Sequence, residues 1–212
     1  TGCQMAHVTA LAAARHALLD REGWDVAERG LAGSPPITVV AGAARHATLD
    51  RALRLLGIGT AQIQVVPADD QGRMETGTLS ATLERAQGPV IVCAQAGEVN
   101  TGAFDPLARI AEIGRPHGAW LHVDGAFVLW AAASPTRAHL VEGLDLADSW
   151  ATDAHKWLNV PYDSGLAFCA EPEAHRTAMT ARADYFASAG EWSRDPFDWT
   201  PESSRRARGF AV

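Results

Sequence analysis

The sequence predicts an α/β fold, a mostly parallel sheet with helices on both faces, and three observations carry that expectation. Short β-branched runs alternate with alanine- and leucine-rich segments along almost the whole chain, as an open sheet covered by crossover helices requires. Runs such as VIVCA and WLHV are continuously apolar, which suits strands buried on both faces. Polar residues with chemical potential, namely Gln95, Asp124 and the Asp153–Lys156 group, fall at expected strand ends, where open α/β sheets bind ligands.

The elements follow in order. Residues 4–19 are rich in Ala and Leu without Gly or Pro and read as a helix. PPITVVAG (35–42) is a β-branched run between breakers, a strand. In ATLDRALRLLGIG (47–59), Leu49, Leu53 and Leu56 form one helical stripe that ends at glycine. AQIQVVP reads as a strand and TGTLSATLERAQG as a helix opened by capping residues. PVIVCAQAG (89–97) is a buried strand, and DPLARIAEIGRPHG (105–118) a helix with Asp105 at its start and Pro106 at the first helical position. AWLHVDGAF (119–127) is a strand followed by a short alanine-rich helix. ADSWATDAHK is a strand running up to the lysine, and SGLAFCA (164–170) is another strand. Residues 183–204 have weak periodicity and several turn residues and read as a long loop, the kind that is functional or disordered in a compact domain.

Composition narrows the function classes. The chain has 212 residues, 47% hydrophobic and 20% charged, enough for a full-sized soluble core. A net charge of −7 argues against a nucleic-acid or anionic-membrane partner. No apolar run approaches the roughly 18 residues that span a bilayer. Cys3, Cys93 and Cys169 are odd in number and form no C-x-x-C pair, which disfavours a disulfide framework or structural zinc and suits a reducing, cytoplasmic compartment. The chain lacks an initiator methionine and opens on a turn entering a helix, so it is expected to be a segment of a longer protein.

The chemistry centres on Lys156. Lys plus Arg total 18, and 17 of these are arginine; Lys156 is the one amine side chain in the sequence. An amine can attack a carbonyl carbon to form an imine, whereas a guanidinium in practice cannot. Asp124 follows an apolar strand, and a buried carboxylate needs a cationic partner. Either Asp124 and Lys156 form a buried ion pair one crossover apart, or they address opposite ends of one cofactor. The second reading meets the demands of pyridoxal phosphate: a Schiff-base lysine, a carboxylate against the pyridine nitrogen, and backbone donors for the phosphate at a helix N-terminus such as TGCQ. His46, in the turn before a helix, is a candidate to stack on the ring, or simply a helix cap.

The motifs HVDGAF, DSWATDAHKWLNVPYDSG, AQAGEVNTGAFDP and ARHATLDRALRLLGIG together resemble the group II pyridoxal-phosphate-dependent amino-acid decarboxylases, the family of the aromatic-amino-acid, glutamate and histidine decarboxylases. The resemblance implies the large domain of a fold type I enzyme, aspartate-aminotransferase-like. It further implies decarboxylation at the α-carboxylate of an amino acid through a Lys156 Schiff base, in a homodimer. Residue by residue it assigns Lys156, Asp124 and His46 to catalysis, with Ala126 packed on the ring face opposite His46. Cys3 and Gln4 fall at the phosphate-binding pair, Gln95 where many members have threonine, and His155 beside the cofactor or substrate. Asp153 stands where several members have a phosphate-contacting asparagine; a carboxylate there is unfavourable unless bridged or turned away. Tyr185 and the 186–198 loop resemble the mobile loop that supplies a tyrosine across the dimer. In these terms residues 1–182 are the cofactor-binding domain, 183–204 a long loop able to move, and 205–212 the start of the next element. The N-terminal segment and C-terminal small domain lie outside.

Other readings remain open on the residues. The same motifs suit an aldehyde-forming lyase or an aminotransferase, and the segment alone could be non-catalytic. Arg205, Arg206 and Arg208 could bind a carboxylate or simply form a solvated face. A metal-dependent hydrolase would use His122-x-Asp124 with His117, His139 or His155, but no clean third ligand is fixed by spacing; no metal is expected.

Overall fold

The structure is a computed structural model that describes residues 1–61, 63–181 and 194–212. Its elements are α1 (Cys3–Arg21), α2 (Val26–Arg29), β1 (Thr38–Gly42), α3 (Ala47–Leu55), β2 (Ile63–Val66), α4 (Thr76–Leu83), β3 (Val90–Gln95), α5 (Leu107–Gly114), β4 (Trp120–Asp124), β5 (Ser149–Asp153), α6 (Ala154–Trp157), β6 (Gly165–Cys169) and α7 (Pro172–Met179). Short 3-10 turns fill connections, including Leu129–Ala133 where the sequence suggests a short helix.

Six strands form one sheet in the order β2-β1-β3-β4-β5-β6. The first five are mutually parallel and β6 runs antiparallel to β5 at the edge. Strand order reverses between β1 and β3, which opens the crevice where such sheets take ligands, beyond the carboxyl ends of the strands.

Period-two alternation sends successive side chains to opposite faces, and both faces are buried. Val39, Ala41, Ile91, Cys93 and Trp120 pack with α1, α3 and α7. Val40, Val92, Ala94, Leu121 and Val123 pack with α4 and α5. The same alternation puts His122 and Asp124 on the Trp120 face, toward α1. Alanine is the best helix former, and its small side chain lets α1 lie close on the sheet; Ala10, Ala13 and Ala14 are fully buried or nearly so.

Two expected boundaries are corrected. The 105–118 helix begins at Leu107, with Pro106 before it as N-cap and a 3-10 turn over Arg115–His117 ending it. Asp105 does not cap that helix: its carboxylate accepts the N–H groups of Met74 at 2.7 Å and Gln95 at 2.7 Å, tying the loop before α4 to the end of β3. The strand expected to run to Lys156 stops at Asp153, and the lysine rides on α6.

Of the 183–204 loop, residues 194–204 are described and contain a 3-10 turn, Pro196–Trp199. Arg206 and Arg208 pair with Asp163, and Arg205 donates to the carbonyls of Glu202 and Ser203, so the arginine run folds back onto the chain. Tyr185 and residues 186–193 lie outside the described residues.

Candidate active site

Asp124 ends β4 in register with Gln95 of β3 and Ala151 of β5. The fold thus brings Gln95, Asp124 and Asp153 to one carboxyl edge, as the sequence leads one to expect. The Asp124 carboxylate accepts the Ala126 N–H at 3.0 Å through Oδ1, and Oδ2 lies 3.4 Å from His7 Nε2. Burial pushes this carboxyl up, but attraction to His7, its hydrogen bond, the Ala126 N–H and His122 outweigh burial and hold it well below the usual carboxylate range.

The partner of Asp124 is therefore His7, and not Lys156. His7 sits on α1 one turn after Cys3, fully buried, a polar residue on an otherwise apolar helix face. Sequence reasoning passed over it. The signal was present: a histidine within the first two turns of an alanine-rich helix, facing a strand that reads W-x-H-x-D. His122 is also fully buried and is pushed down to about 3, first by burial and then by His7.

Lys156 follows β5 by one turn. Its Nζ is 3.1 Å from Asp153 Oδ2 and 4.6 Å from the centre of the Phe127 ring, and the side chain is 28% exposed. Asp153 bridges two elements, because its Oδ1 also accepts the Cys3 N–H at 2.6 Å. The first donor of the α1 N-terminus, expected to be free for a phosphate, is thus taken by a carboxylate. His155 accepts the Ser164 N–H on Nδ1 at 3.1 Å and stacks on Tyr162 at 4.2 Å, with Nε2 toward Asp153 at 3.6 Å.

His46 is the N-cap of α3: Nδ1 accepts the Thr48 N–H at 3.2 Å. Gln4 reaches the same helix, donating to the Thr48 carbonyl at 3.2 Å, so the N-termini of α1 and α3 are joined at the strand ends. Ala126 packs with Cys3, Ala6 and Ala151.

The hydrolase reading loses its ligand pair. His122 spends its ring nitrogens on His7 and Ser149, at 2.8 Å each. The donors that do converge among the described residues are Cys3, His7 and Asp124, within 4.8 Å of one another. Burial pushes the Cys3 thiol far up, so a metal would have to displace its proton. A separate cleft lined by Arg21, Gly114, Arg115 and Asp148 lies where β4 and β5 begin, away from Lys156.

The residues fit pyridoxal phosphate on this structure's own evidence. A part-exposed amine and a buried, ionised carboxylate stand beyond neighbouring strand ends. The nineteen-residue α1 points its N-terminus, the end of a helix that favours an anion, at this edge from Gly2 onward, although Asp153 already takes the Cys3 N–H. A sheet of this order with this lysine and carboxylate defines a pyridoxal-phosphate enzyme core of fold type I.

Comparison with known proteins narrows the class. Residues 2–212 match the family model described as the pyridoxal-dependent decarboxylase conserved domain, and the chain belongs to that family. It is 32% identical over 198 residues to the acidic amino acid decarboxylase GADL1 of Bos taurus, covering 88% of this chain and 37% of the relative. It is 32% identical over 217 residues to aspartate 1-decarboxylase of Aliivibrio fischeri, covering 97% of this chain and 39% of the relative. The solved structure of Oryza sativa TDC with PLP and tryptamine superposes with TM-score 0.88 at 27% identity, covering 98% of this chain and 44% of that one. The chain therefore spans less than half the length of the proteins it matches.

Proposed function

We propose that this chain is the cofactor-binding core of a pyridoxal-phosphate-dependent carboxy-lyase that removes the α-carboxylate of an amino acid. The observation that carries the reading is the pair of Lys156 and a buried, ionised Asp124 beyond adjacent parallel strands, within a chain of the decarboxylase family. Residues 1–182 form the domain that holds the cofactor, and the remainder of the active site comes from outside this segment. GADL1 and aspartate 1-decarboxylase are named for acidic substrates, which supports an acidic amino acid as the substrate class.

Bound pyridoxal phosphate supplies an electron sink for the pair released when a bond to Cα breaks. The chain supplies the rest. Lys156 Nζ would be the attachment point and, once freed, would serve as base or acid for Cα. Asp124 holds a proton at the pyridine nitrogen. His46 and Ala126 would hold the ring from α3 and from the turn after β4, and the α1 N-terminus with Gln4 would hold the phosphate. Gln95 and His155 line the cleft from β3 and α6. Apolar walls such as Phe127 exclude water and favour loss of a carboxylate as neutral carbon dioxide.

A homodimer is the favoured assembly. Trp157 and Tyr162 are 63% and 73% exposed beside Lys156, an apolar rim suited to a second subunit. No described helix is long and apolar enough to cross a membrane, and the net charge of −7 argues against nucleic acid. The three free cysteines support a reducing, cytoplasmic setting.

The test is the visible spectrum of the full chain with pyridoxal phosphate, before and after borohydride, beside Lys156→Ala. A reducible band attached at Lys156 and missing from the variant, with carbon dioxide released from an acidic amino acid, is expected. A folded full chain that shows no such band refutes the reading.

A further inference from the structure

A chain of hydrogen bonds runs from β4 and β5 into α1 and ends in a close polar contact with the Asp124 carboxylate. Trp120 Nε1 lies 2.8 Å from Ser149 Oγ, Ser149 Oγ 2.8 Å from His122 Nδ1, and His122 Nε2 2.8 Å from His7 Nδ1. His7 Nε2 closes the chain at Asp124 Oδ2, 3.4 Å away, with Cys3 Sγ at 3.5 Å beside it. Trp120, His7, His122 and Ser149 are all buried to within one per cent.

The chain has a direction set by its first member. An indole N–H can only donate, so Ser149 Oγ accepts there and has one proton left, which serves His122 Nδ1. His122 then carries its proton on Nε2 and donates to His7 Nδ1, which leaves the His7 proton on Nε2, facing Asp124. Every donor points toward the carboxylate. The opposite order of protons along the two rings would leave the Ser149 hydroxyl, which makes no other side-chain bond among the described residues, without an acceptor. In a buried site such a loss is costly, so that order is disfavoured, and the ring N–H left facing Asp124 favours its charged form. The remaining titratable groups around His7 are Cys3 on its own helix, Cys93 on β3, and Asp153 with Lys156 beyond Cys3. Cys3 and Cys93 are thiols held protonated by burial, and Asp153 and Lys156 are already paired with each other.

Resting on the decarboxylase reading above, we propose that His7 is a positioning residue for the reaction: the Trp120–Ser149–His122 chain fixes its ring and tautomer, and His7 in turn orients Asp124 and keeps it a carboxylate, the state in which Asp124 can hold a proton on the cofactor's pyridine nitrogen. Packing alone does not require this, because at a fully buried position an aliphatic side chain of similar size would fill the space without needing polar partners.

The test uses the full chain loaded with pyridoxal phosphate labelled with nitrogen-15 in the ring. The label's resonance reports directly whether the pyridine nitrogen carries a proton. In the wild type it is expected at the protonated position. In His7→Leu it moves toward the unprotonated position, and kcat falls by about tenfold, the equivalent of one pKa unit at the carboxylate, with KM changed by less than about twofold. Ser149→Ala and His122→Leu move the resonance the same way by smaller amounts, and His7→Gln, which can still donate to Asp124, restores part of both losses. If the Leu variants fail to fold, Ser149→Ala and His7→Gln carry the comparison alone. An unchanged resonance and unchanged kcat in folded, loaded variants overturn the proposal while leaving the decarboxylase reading intact. A wild type with no borohydride-reducible label on Lys156 overturns the decarboxylase reading instead, and the two failures are thereby told apart.

Discussion

At the scale of single residues, Asp153 is where this chain differs most in charge from what its neighbours need. Its carboxylate ties the α1 N-terminus to Lys156, and a phosphate dianion at that helix end would face it at short range. Asp153→Asn keeps an acceptor for the Cys3 N–H and removes the charge. The expected outcome is tighter binding of pyridoxal phosphate, by up to about tenfold for the relief of one partly screened like-charge contact, read from a titration of the visible band. Unchanged or weaker binding would mean that Asp153 is turned away from the phosphate. His46 allows a second separation of roles. As the α3 N-cap it contributes about 1 kcal/mol, and Asn is an equally good cap. His46→Asn is therefore expected to leave the thermal midpoint within a degree or two while weakening cofactor binding several-fold through loss of the ring. Equal losses of stability and binding would make His46 a cap and nothing more.

At the scale of elements, the site depends on how closely β6 approaches α1. Gly165 donates its N–H to the Thr1 carbonyl at 2.6 Å, and a Cβ on Gly165 would overlap the Gly2 backbone, lying 2.7 Å from its carbonyl oxygen. Backbone on one side and a ladder pairing with Asp153 on the other leave no room to yield. Gly165→Ala is expected to destabilise the fold by about 2 kcal/mol and to lower cofactor affinity with it, because the α1 N-terminus must move off Asp153. A chemical-denaturation midpoint equal to wild type would refute this packing. The elements themselves were largely legible: continuous apolar runs and leucine stripes located the central strands and the principal helices, because burial on both faces leaves a strong signal, while the half-exposed edge strands β2 and β6 were still readable as strands. The lysine, both aspartates and the glutamine could be placed at strand ends for the same reason. What periodicity could not give was contact across layers. That His7 faces Asp124 depends on the angle and height at which α1 lies on the sheet. Asp105 looked like a helix cap because its carboxylate's real partners, the N–H groups of Met74 and Gln95, are far away in sequence.

At the scale of the whole molecule, the buried histidines make stability depend on pH in a definite direction. His122 is pushed down from an ordinary 6.5 to about 3, so between those values the unfolded chain holds a proton that the folded chain refuses. Since the unfolded state binds more protons there, unfolding becomes easier as pH falls through that window, by at most about 1.4 kcal/mol per unit for one group. His175, half-buried against Trp199 and also held low, first by burial, adds in the same sense. Asp124, whose carboxyl is held below its ordinary 3.8, stabilises the fold above that value and gives up its contribution only at stronger acid. Asp105 and Asp148 are raised, mainly by burial, and act oppositely: once pH drops below their raised values the folded state takes the proton first and is relatively favoured. Just below the ordinary histidine value of 6.5 the histidines act first, and the thermal midpoint of the cofactor-free protein is expected to fall as pH drops. His122→Gln should flatten that decline, although it starts from a lower midpoint because the chain to Ser149 is broken. The slope should persist in about 0.5 M salt, since buried groups are little screened. A midpoint that is flat just below pH 6.5 in the wild type, or a decline that salt abolishes, would show that burial does not hold His122 uncharged in the folded state.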